Sequence, residues 1–251
     1  MTSDKLHVTC HVSHVTGYIL AGGQSSRMGR DKALLPIGSR TLIELVMKRI
    51  QPLVDHVVVI GHPRNVQPLG ELLKRKVLTD LKPGCGPLMG IYTGLMQTET
   101  ALNLFLPCDM PWVEGRLIER LLKACHGEAR VVASLHPAQG VQPFPLICHV
   151  KACRAIGALL DRAVAYGIRH SWSGRYQSGR GMPSALALGL RRPRLTAGCP
   201  PRSQESSLQA LLRGPHAQLI TVEEPDLWQS FTNVNTLSDY AKLYDATTLT
   251  R

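Results

Sequence analysis

Three apolar runs in the first 110 residues each stop at a residue suited to chemistry, and helical stretches separate them. "GYILA" (17–21) runs into the glycines of "GGQSSRMGRDK", "VLTD" (77–80) ends in Asp80, and "ALNLFLPCD" (101–109) ends in Asp109. A fourth run, "HVVVIG" (56–61), is continuously apolar, the mark of a strand covered on both faces. Helical signals fill the intervals. Thr41 and Glu44 have capping-box spacing, and Ile43, Val46, Met47 and Ile50 fall on one helical face. Leu69 to Lys76 reads as a short helix, and 86–98 as a helix whose Gly90 and Gly94 predict close packing on a sheet. Residues 114–126 form an amphipathic helix through Leu117, Leu121, Leu122 and Cys125. "RVVAS" (130–134) and "FPLICHV" (144–150) read as further strands, followed by a helix from about Ala152 to Tyr166. Strands alternating with helices across short connections imply a mostly parallel sheet with helices on both faces, a single α/β/α domain in three layers. Such sheets bind ligands beyond the carboxyl ends of their strands, so the glycine loop, Asp80 and Asp109 are expected at one edge.

The pattern lapses in two places. Residues 1–16 are polar and His-rich, without the apolar core of a signal peptide, and read as a disordered tail before a domain spanning 17–251. His7, Cys10, His11 and His14 leave metal binding there as an alternative. Residues 170–206 are rich in Ser, Gly, Arg and Pro and read as a long loop or insertion. Regular structure resumes at "SLQALLRG" (207–214), "AQLITV" (217–222) and a final helix from about Leu237. The formal net charge is +11. No acidic residue lies between Arg162 and Gln204, whereas Arg169, Arg175, Arg180, Arg191, Arg192, Arg194 and Arg202 all do, so the excess charge marks the insertion rather than the core activity. No apolar run approaches the roughly eighteen residues of a membrane span. The seven cysteines include no C-x-x-C pair, against both a disulfide framework and a zinc ribbon. These features predict a cytoplasmic protein with no membrane partner.

The loop "GGQSSRMGRDK" (22–32) is neither a Walker A motif nor G-x-G-x-x-G. Its physics is similar. Consecutive glycines let backbone N–H groups approach an anion with no Cβ in the way. Arg27 can grip phosphate oxygens in a bidentate fork, and Lys32 supplies a compact charge, a set that suits a triphosphate. The bland alternative is a strand-to-helix turn with solvated basic residues. Asp109, set between two prolines in "LPCDMP", is placed to give Mg²⁺ a hard oxygen ligand, or else to cap a helix. Asp80 suits a hydrogen bond to a base or ribose, or a turn cap.

Four stretches in order, "LAGGQSSRMGRDKALLP" (20–36), "TDLKPGCGPLMGI" (79–91), "LPCDMP" (106–111) and "FTNVNT" (231–236), resemble the molybdenum cofactor guanylyltransferases, MobA-like proteins of the nucleotidyltransferase superfamily. The resemblance covers about 17–168 and 207–245. It implies a Rossmann-like nucleotidyltransferase fold and transfer of GMP from GTP to the terminal phosphate of molybdopterin, giving the guanine dinucleotide cofactor and pyrophosphate. It places Leu20, Ala21, Gly22 and Gly23 along the nucleotide, Arg27 and Lys32 on the phosphates, Asp80 at the guanosine, Asp109 on Mg²⁺, and Asn233 and Asn235 on the pterin side. Molybdoenzyme maturation proteins are partners that such a role leaves open.

Two departures from the pattern stand out. Where relatives commonly carry an asparagine after the second strand, this chain has Ile60 and Gly61, with His62 and Asn65 as substitutes. The 170–206 stretch interrupts a connection that is nearly direct in relatives; it reads as a lid over an anionic cofactor, a neutral insertion, or an out-of-frame or cloning-derived stretch. The rival enzyme is a molybdopterin cytidylyltransferase using CTP. The rival from another class is a non-catalytic protein that binds or delivers the cofactor. Nucleic-acid binding through 169–202 would show a steep salt dependence lost with that segment, and no recognition motif supports it.

Overall fold

The computed structural model describes residues 14–22, 31–167 and 208–248. The strand-like runs become β1 (Val15–Ala21), β4 (His56–Gly61), β5 (Val77–Thr79), β6 (Leu102–Pro107), β7 (Val131–His136), β8 (Gly140–His149) and β9 (Ala217–Thr221). Two short strands, β2 (Pro36–Ile37) and β3 (Arg40–Thr41), pair antiparallel beside the main sheet. The helices are α1 (Leu42–Ile50), α2 (Val66–Leu73), α3 (Pro87–Gln97), α4 (Gly115–Ala124), α5 (Ala152–Gly167), α6 (Leu208–Leu212) and α7 (Leu237–Thr248). Among the described residues no helix is long and apolar enough to cross a membrane.

The seven-stranded sheet has the order β5-β4-β1-β6-β8-β7-β9, and every pair is parallel except those made by β8. From β1 the chain steps outward through β4 to β5, then returns across β1 to place β6 on its other side. That reversal opens a crevice between β1 and β6, the place where such sheets take ligands. β8 enters as the second arm of a hairpin with β7, and begins four residues before the apolar run that signalled it.

Side chains alternate along β1, and each face has its own core. Val15, Ile19 and Ala21 pack with α1 through Ile43, Val46 and Ile50, and with α4 through Leu117, Ile118 and Leu121. Tyr18 packs on the other face with α3, α5 and α6, through Leu88, Ile91, Ile156 and Leu211. The three-layer expectation therefore holds, and its physical basis is period two on a sheet covered from both sides. The α1 capping box forms as spaced, with Glu44 accepting from the Thr41 backbone N–H at 2.7 Å. Gly94 shows why α3 needs glycine: a Cβ there would lie 2.7 Å from Phe105 Cε1, against the stacked Tyr18–Phe105 pair. Phe105 is fully buried, so truncating it to alanine would cost about 3 to 5 kcal/mol.

Helix and strand ends differ from expectation by a few residues. α2 begins at Val66, three residues early, because the turn after β4 closes through Asn65 and Val66 N–H donations to the His62 carbonyl. β1 starts at Val15, whose N–H donates to the Asp55 carboxylate at 2.7 Å. Four cysteines, Cys108, Cys125, Cys148 and Cys153, are free and buried. Cys85 is disulfide-bonded, which the cysteine spacing did not signal.

Candidate active site

Strand register decides what meets what. Ala21 pairs with Gly61, Gly61 with Thr79, and Leu20 with Pro107, so β1, β4, β5 and β6 end at one level. The residues that follow are therefore neighbours by construction: Gly22, Asp80 and the Cys108–Asp109 step. The Cys108 N–H donates to the Leu20 carbonyl at 3.1 Å, a backbone bond at the foot of the crevice where β1 and β6 end.

Asp31 and Lys32 follow the glycine loop. Asp31 accepts from the Ala33 N–H at 3.0 Å and caps a single 3-10 turn, Lys32–Leu34. The turn sends the Lys32 side chain to the end of β6, where its ammonium donates to Asp109 Oδ2 at 3.2 Å and to Asn235 Oδ1 at 2.8 Å. The Lys32 and Asp109 side chains are only 18% and 16% exposed, so this contact is less screened than a surface pair. Three of the four motifs, separated by up to 203 positions, thus converge on one ammonium group.

Asn235 reaches the site from the far end of the chain. A 3-10 helix, Pro225–Phe231, carries the chain back over the sheet. Ser230 Oγ accepts from the Glu114 N–H at 3.0 Å, and exposed ion pairs Arg116–Asp226 and Arg120–Glu224 join the helix region to α4. Both pairs are exposed and solvent-screened, so they orient the segment more than they stabilise it. The Val234 N–H donates to the Asp109 carbonyl at 2.9 Å, and Val234 is buried with Ile37, Leu42 and Leu243. Asp239 Oδ2 then accepts from the Asn235 and Thr236 N–H groups, while Thr236 Oγ1 accepts from the Asp239 N–H. The Thr236 side chain first, and then the Asn235 and Thr236 N–H groups, hold the Asp239 carboxyl below its usual range. This reciprocal cap was legible as Thr236-x-x-Asp239 and was missed in reading the sequence.

Asp80 lies just past β5, and its N–H donates to the Gly61 carbonyl at 2.9 Å. Its Oδ1 accepts from the Lys82 N–H at 3.2 Å and from Thr93 Oγ1 at 3.3 Å. A Cβ on Gly22 would lie 3.7 Å from Asp80 Oδ2, so this carboxylate sits at the mouth of the glycine loop. Burial raises the Asp80 pKa to about 6, and the two hydrogen bonds only partly oppose the rise. Thr93, on α3, holds Asp80 and went unnoticed in sequence, because a threonine inside a helix carries no local signal of a tertiary partner.

Asp109 Oδ1 and Asn233 Oδ1 are buried and have no hydrogen-bond partner among the described residues. An unpartnered carboxylate oxygen beside a bound ammonium is a hard donor fit for Mg²⁺, which takes one or two protein carboxylates rather than a cage. Among the described residues no group of three His, Cys, Asp or Glu could hold a metal ion. His14 forms a 3.3 Å pair with Asp55; His7, Cys10 and His11 lie outside the described residues. Burial pushes the Cys108 thiol far above its ordinary range, the Asp109 charge adding to the effect, which suits packing rather than attack.

The structure brings together Leu20, Ala21, Gly22, Lys32, Asp80, Asp109, Asn233 and Asn235 on one edge. Gly23, Arg27 and the 170–206 stretch lie outside the described residues. At the site of the missing asparagine, Ile60 is buried in the core beneath α3. His62 Nδ1 accepts from the Arg64 N–H and side chain. Asn65 is buried, and its amide donates to the protein itself.

The MobA-like NTP transferase domain matches residues 17–180. A "Probable molybdenum cofactor guanylyltransferase" from a Geobacillus species is 24% identical over 91% of this chain and 97% of its own length. The molybdenum cofactor guanylyltransferase of Vibrio parahaemolyticus is 34% identical over 57% of this chain and 73% of its own. Among solved structures, the molybdopterin-guanine dinucleotide biosynthesis protein A of Archaeoglobus fulgidus superposes with a TM-score of 0.62, at 18% identity, over 93% of this chain and 99% of that one.

Proposed function

This chain belongs to the MobA-like NTP transferase domain family, and from that premise we propose that it transfers GMP from GTP to the terminal phosphate of molybdopterin, releasing pyrophosphate. The observation that carries the reading is the Lys32 ammonium held between Asp109 and Asn235, residues that this reading assigns to the nucleotide and the pterin respectively.

The chemistry follows from charge. An oxygen of the acceptor's terminal phosphate attacks the α-phosphorus of GTP; the new P–O bond forms as the bond to the β-phosphate bridging oxygen breaks, and pyrophosphate leaves. The phosphate is already a nucleophile, so no side chain need be ionised and no covalent enzyme intermediate forms. The obstacle is bringing two anions together. Lys32, with Arg27 from the glycine loop, binds the triphosphate and offsets the charge that develops on pyrophosphate. The backbone of Leu20, Ala21, Gly22 and Gly23 lines the nucleotide, and Asp80, as a carboxylate, accepts from the guanosine. Asn233 and Asn235 orient the pterin phosphate. Asp109 would hold Mg²⁺, which when bound neutralises and orients the triphosphate. The proposed compartment is the cytoplasm, where nucleoside triphosphates are available.

Calorimetry of the purified protein with Mg²⁺ and GTP, CTP or ATP tests the reading, followed by pyrophosphate release with molybdopterin present. GTP preference with turnover is expected. CTP preference would move the protein to cytidylyl transfer at the same site, and binding without pyrophosphate release would make it a carrier.

A further inference from the structure

Asn65 stands in the turn between β4 and α2 and is 5% exposed. Its Nδ2 donates to the Ala21 carbonyl at 2.8 Å and to Asp31 Oδ2 at 2.5 Å. Ala21 is the last residue of β1, and Asp31 is the cap of the turn that carries Lys32. One carboxamide thus joins two points of the chain ten positions apart, immediately before Gly22 and immediately before Lys32. Both partners are acceptors, so only the amide nitrogen can face them. The two protons are fully used, and one of them meets an ionised carboxylate, the stronger class of hydrogen bond.

The residue opposite completes the fit. A Cβ on Gly61 would come 2.7 Å from Asn65 Oδ1. Any side chain at 61 would therefore push the short Asn65 arm off its two acceptors. Gly61 pairs with Ala21 in the β1–β4 ladder, so the bare strand end lets Asn65 fold back onto β1. The amide nitrogen of Asn65 is thus committed to protein acceptors, while its Oδ1 is buried with no hydrogen-bond partner among the described residues.

We propose that Asn65 is a positioning residue for the transfer reaction: by tying Asp31 to the end of β1 it sets the turn that aims the Lys32 ammonium at Asp109 and Asn235. The proposal rests on the functional reading above for its kinetic consequence, but the latch itself is a property of the fold. Asn65→Asp keeps the shape and sets a carboxylate against a carbonyl and the Asp31 carboxylate, so the turn is driven away. A change of about 1 Å in the placement of a charged group costs about a hundredfold in rate.

The test uses the full chain with Mg²⁺, GTP and molybdopterin. Asn65→Asp is expected to lower kcat/KM by about a hundredfold, with kcat falling as well as KM rising. The double variant Asn65→Asp/Asp31→Asn restores a donor facing an acceptor and keeps an oxygen for the Ala33 N–H; it should recover at least about tenfold of the loss. A single variant with wild-type kinetics, or a double no better than the single, overturns the proposal. If Asn65→Asp does not fold, Gly61→Ala takes its place and should lower kcat/KM in the same sense; unchanged kinetics there overturn it. Nuclear magnetic resonance of the wild-type Asn65 side-chain amide gives a readout independent of turnover. Slow exchange of both protons, and a shift of one in Asp31→Asn, are expected; exchange as fast as a solvent-exposed asparagine overturns the latch. A wild-type chain that shows the protected amide but no transfer would sink the functional reading and leave the latch standing.

Discussion

Asp80 and Asp109 follow two strands of one sheet, the edge strand β5 and the buried strand β6, and their surroundings differ in kind. Asp80 accepts from a backbone N–H and a threonine hydroxyl, and burial carries its pKa to about 6. Asp109 faces the Lys32 ammonium through one oxygen and keeps the other without a partner among the described residues. The same local pattern, an apolar run ending in an acid, thus yields two instruments. One is a carboxylate easily neutralised and suited to accepting hydrogen bonds from a nucleoside. The other is held beside a cation and suited to polyphosphate and metal. What separates them is whether the fold delivers a cation to the strand end, and Lys32 is delivered to only one.

That contrast can be broken most directly at Asp109. Asp109→Ala should lower kcat by about a thousandfold while the circular dichroism melt stays cooperative. Normal turnover would remove Asp109 from the chemistry. Lys32→Ala should cost about a hundredfold in kcat/KM for GTP, with pyrophosphate release as the readout; an unchanged value would take the ammonium out of the phosphate site.

Asp80→Asn should weaken GTP binding by about tenfold at pH 8, the loss of one charge-assisted hydrogen bond, measured by calorimetry. In the wild type, GTP affinity should fall as pH drops through about 6, because Asp80 must lose its proton to accept from the nucleoside. Asp80→Asn should lack that component, which separates it from titration of GTP itself. Stability should move the other way. Asp80 has a raised folded pKa, so the protonated carboxyl favours the fold at low pH and that advantage is lost as pH rises from about 4 to about 6. Asp80→Asn should therefore be more stable than wild type at pH 8, by roughly 2 to 3 kcal/mol, and equal to it below pH 4. Denaturant melts at the two pH values check this; equal stability at pH 8 would mean that burial does not set the Asp80 pKa.

The smallest effect is expected at Thr93. Thr93→Val removes a hydrogen bond that favours the Asp80 carboxylate, so the titration of the Asp80 carboxyl carbon should shift upward by less than about one unit. No shift would show that the Lys82 N–H alone holds the ionised form.

The sequence was legible where a local pattern carries its own cause. Continuous apolar runs became strands, the Thr41 and Glu44 spacing became a capping box, and Gly94 met Phe105 as a close-packing glycine must. Element ends were less legible, because they depend on turn closures such as the His62 carbonyl taking two N–H groups. The pairing of the site was not legible at all. Nothing near Lys32 announces Asn235, and nothing near Thr93 announces Asp80.

The sequence by itself determined the layered α/β class, the glycine loop and the two acids after strands, since these follow from periodicity and from residue types whose chemistry is local. Only the tertiary structure decided that Asp109, and not Asp80, receives the lysine, and that the Asn65 amide ties Ala21 to Asp31. Those outcomes follow from strand register and from a returning segment held by Val234 and Asp239. Contacts between residues tens to hundreds of positions apart are set by how whole elements pack, and no short stretch of chain carries that information.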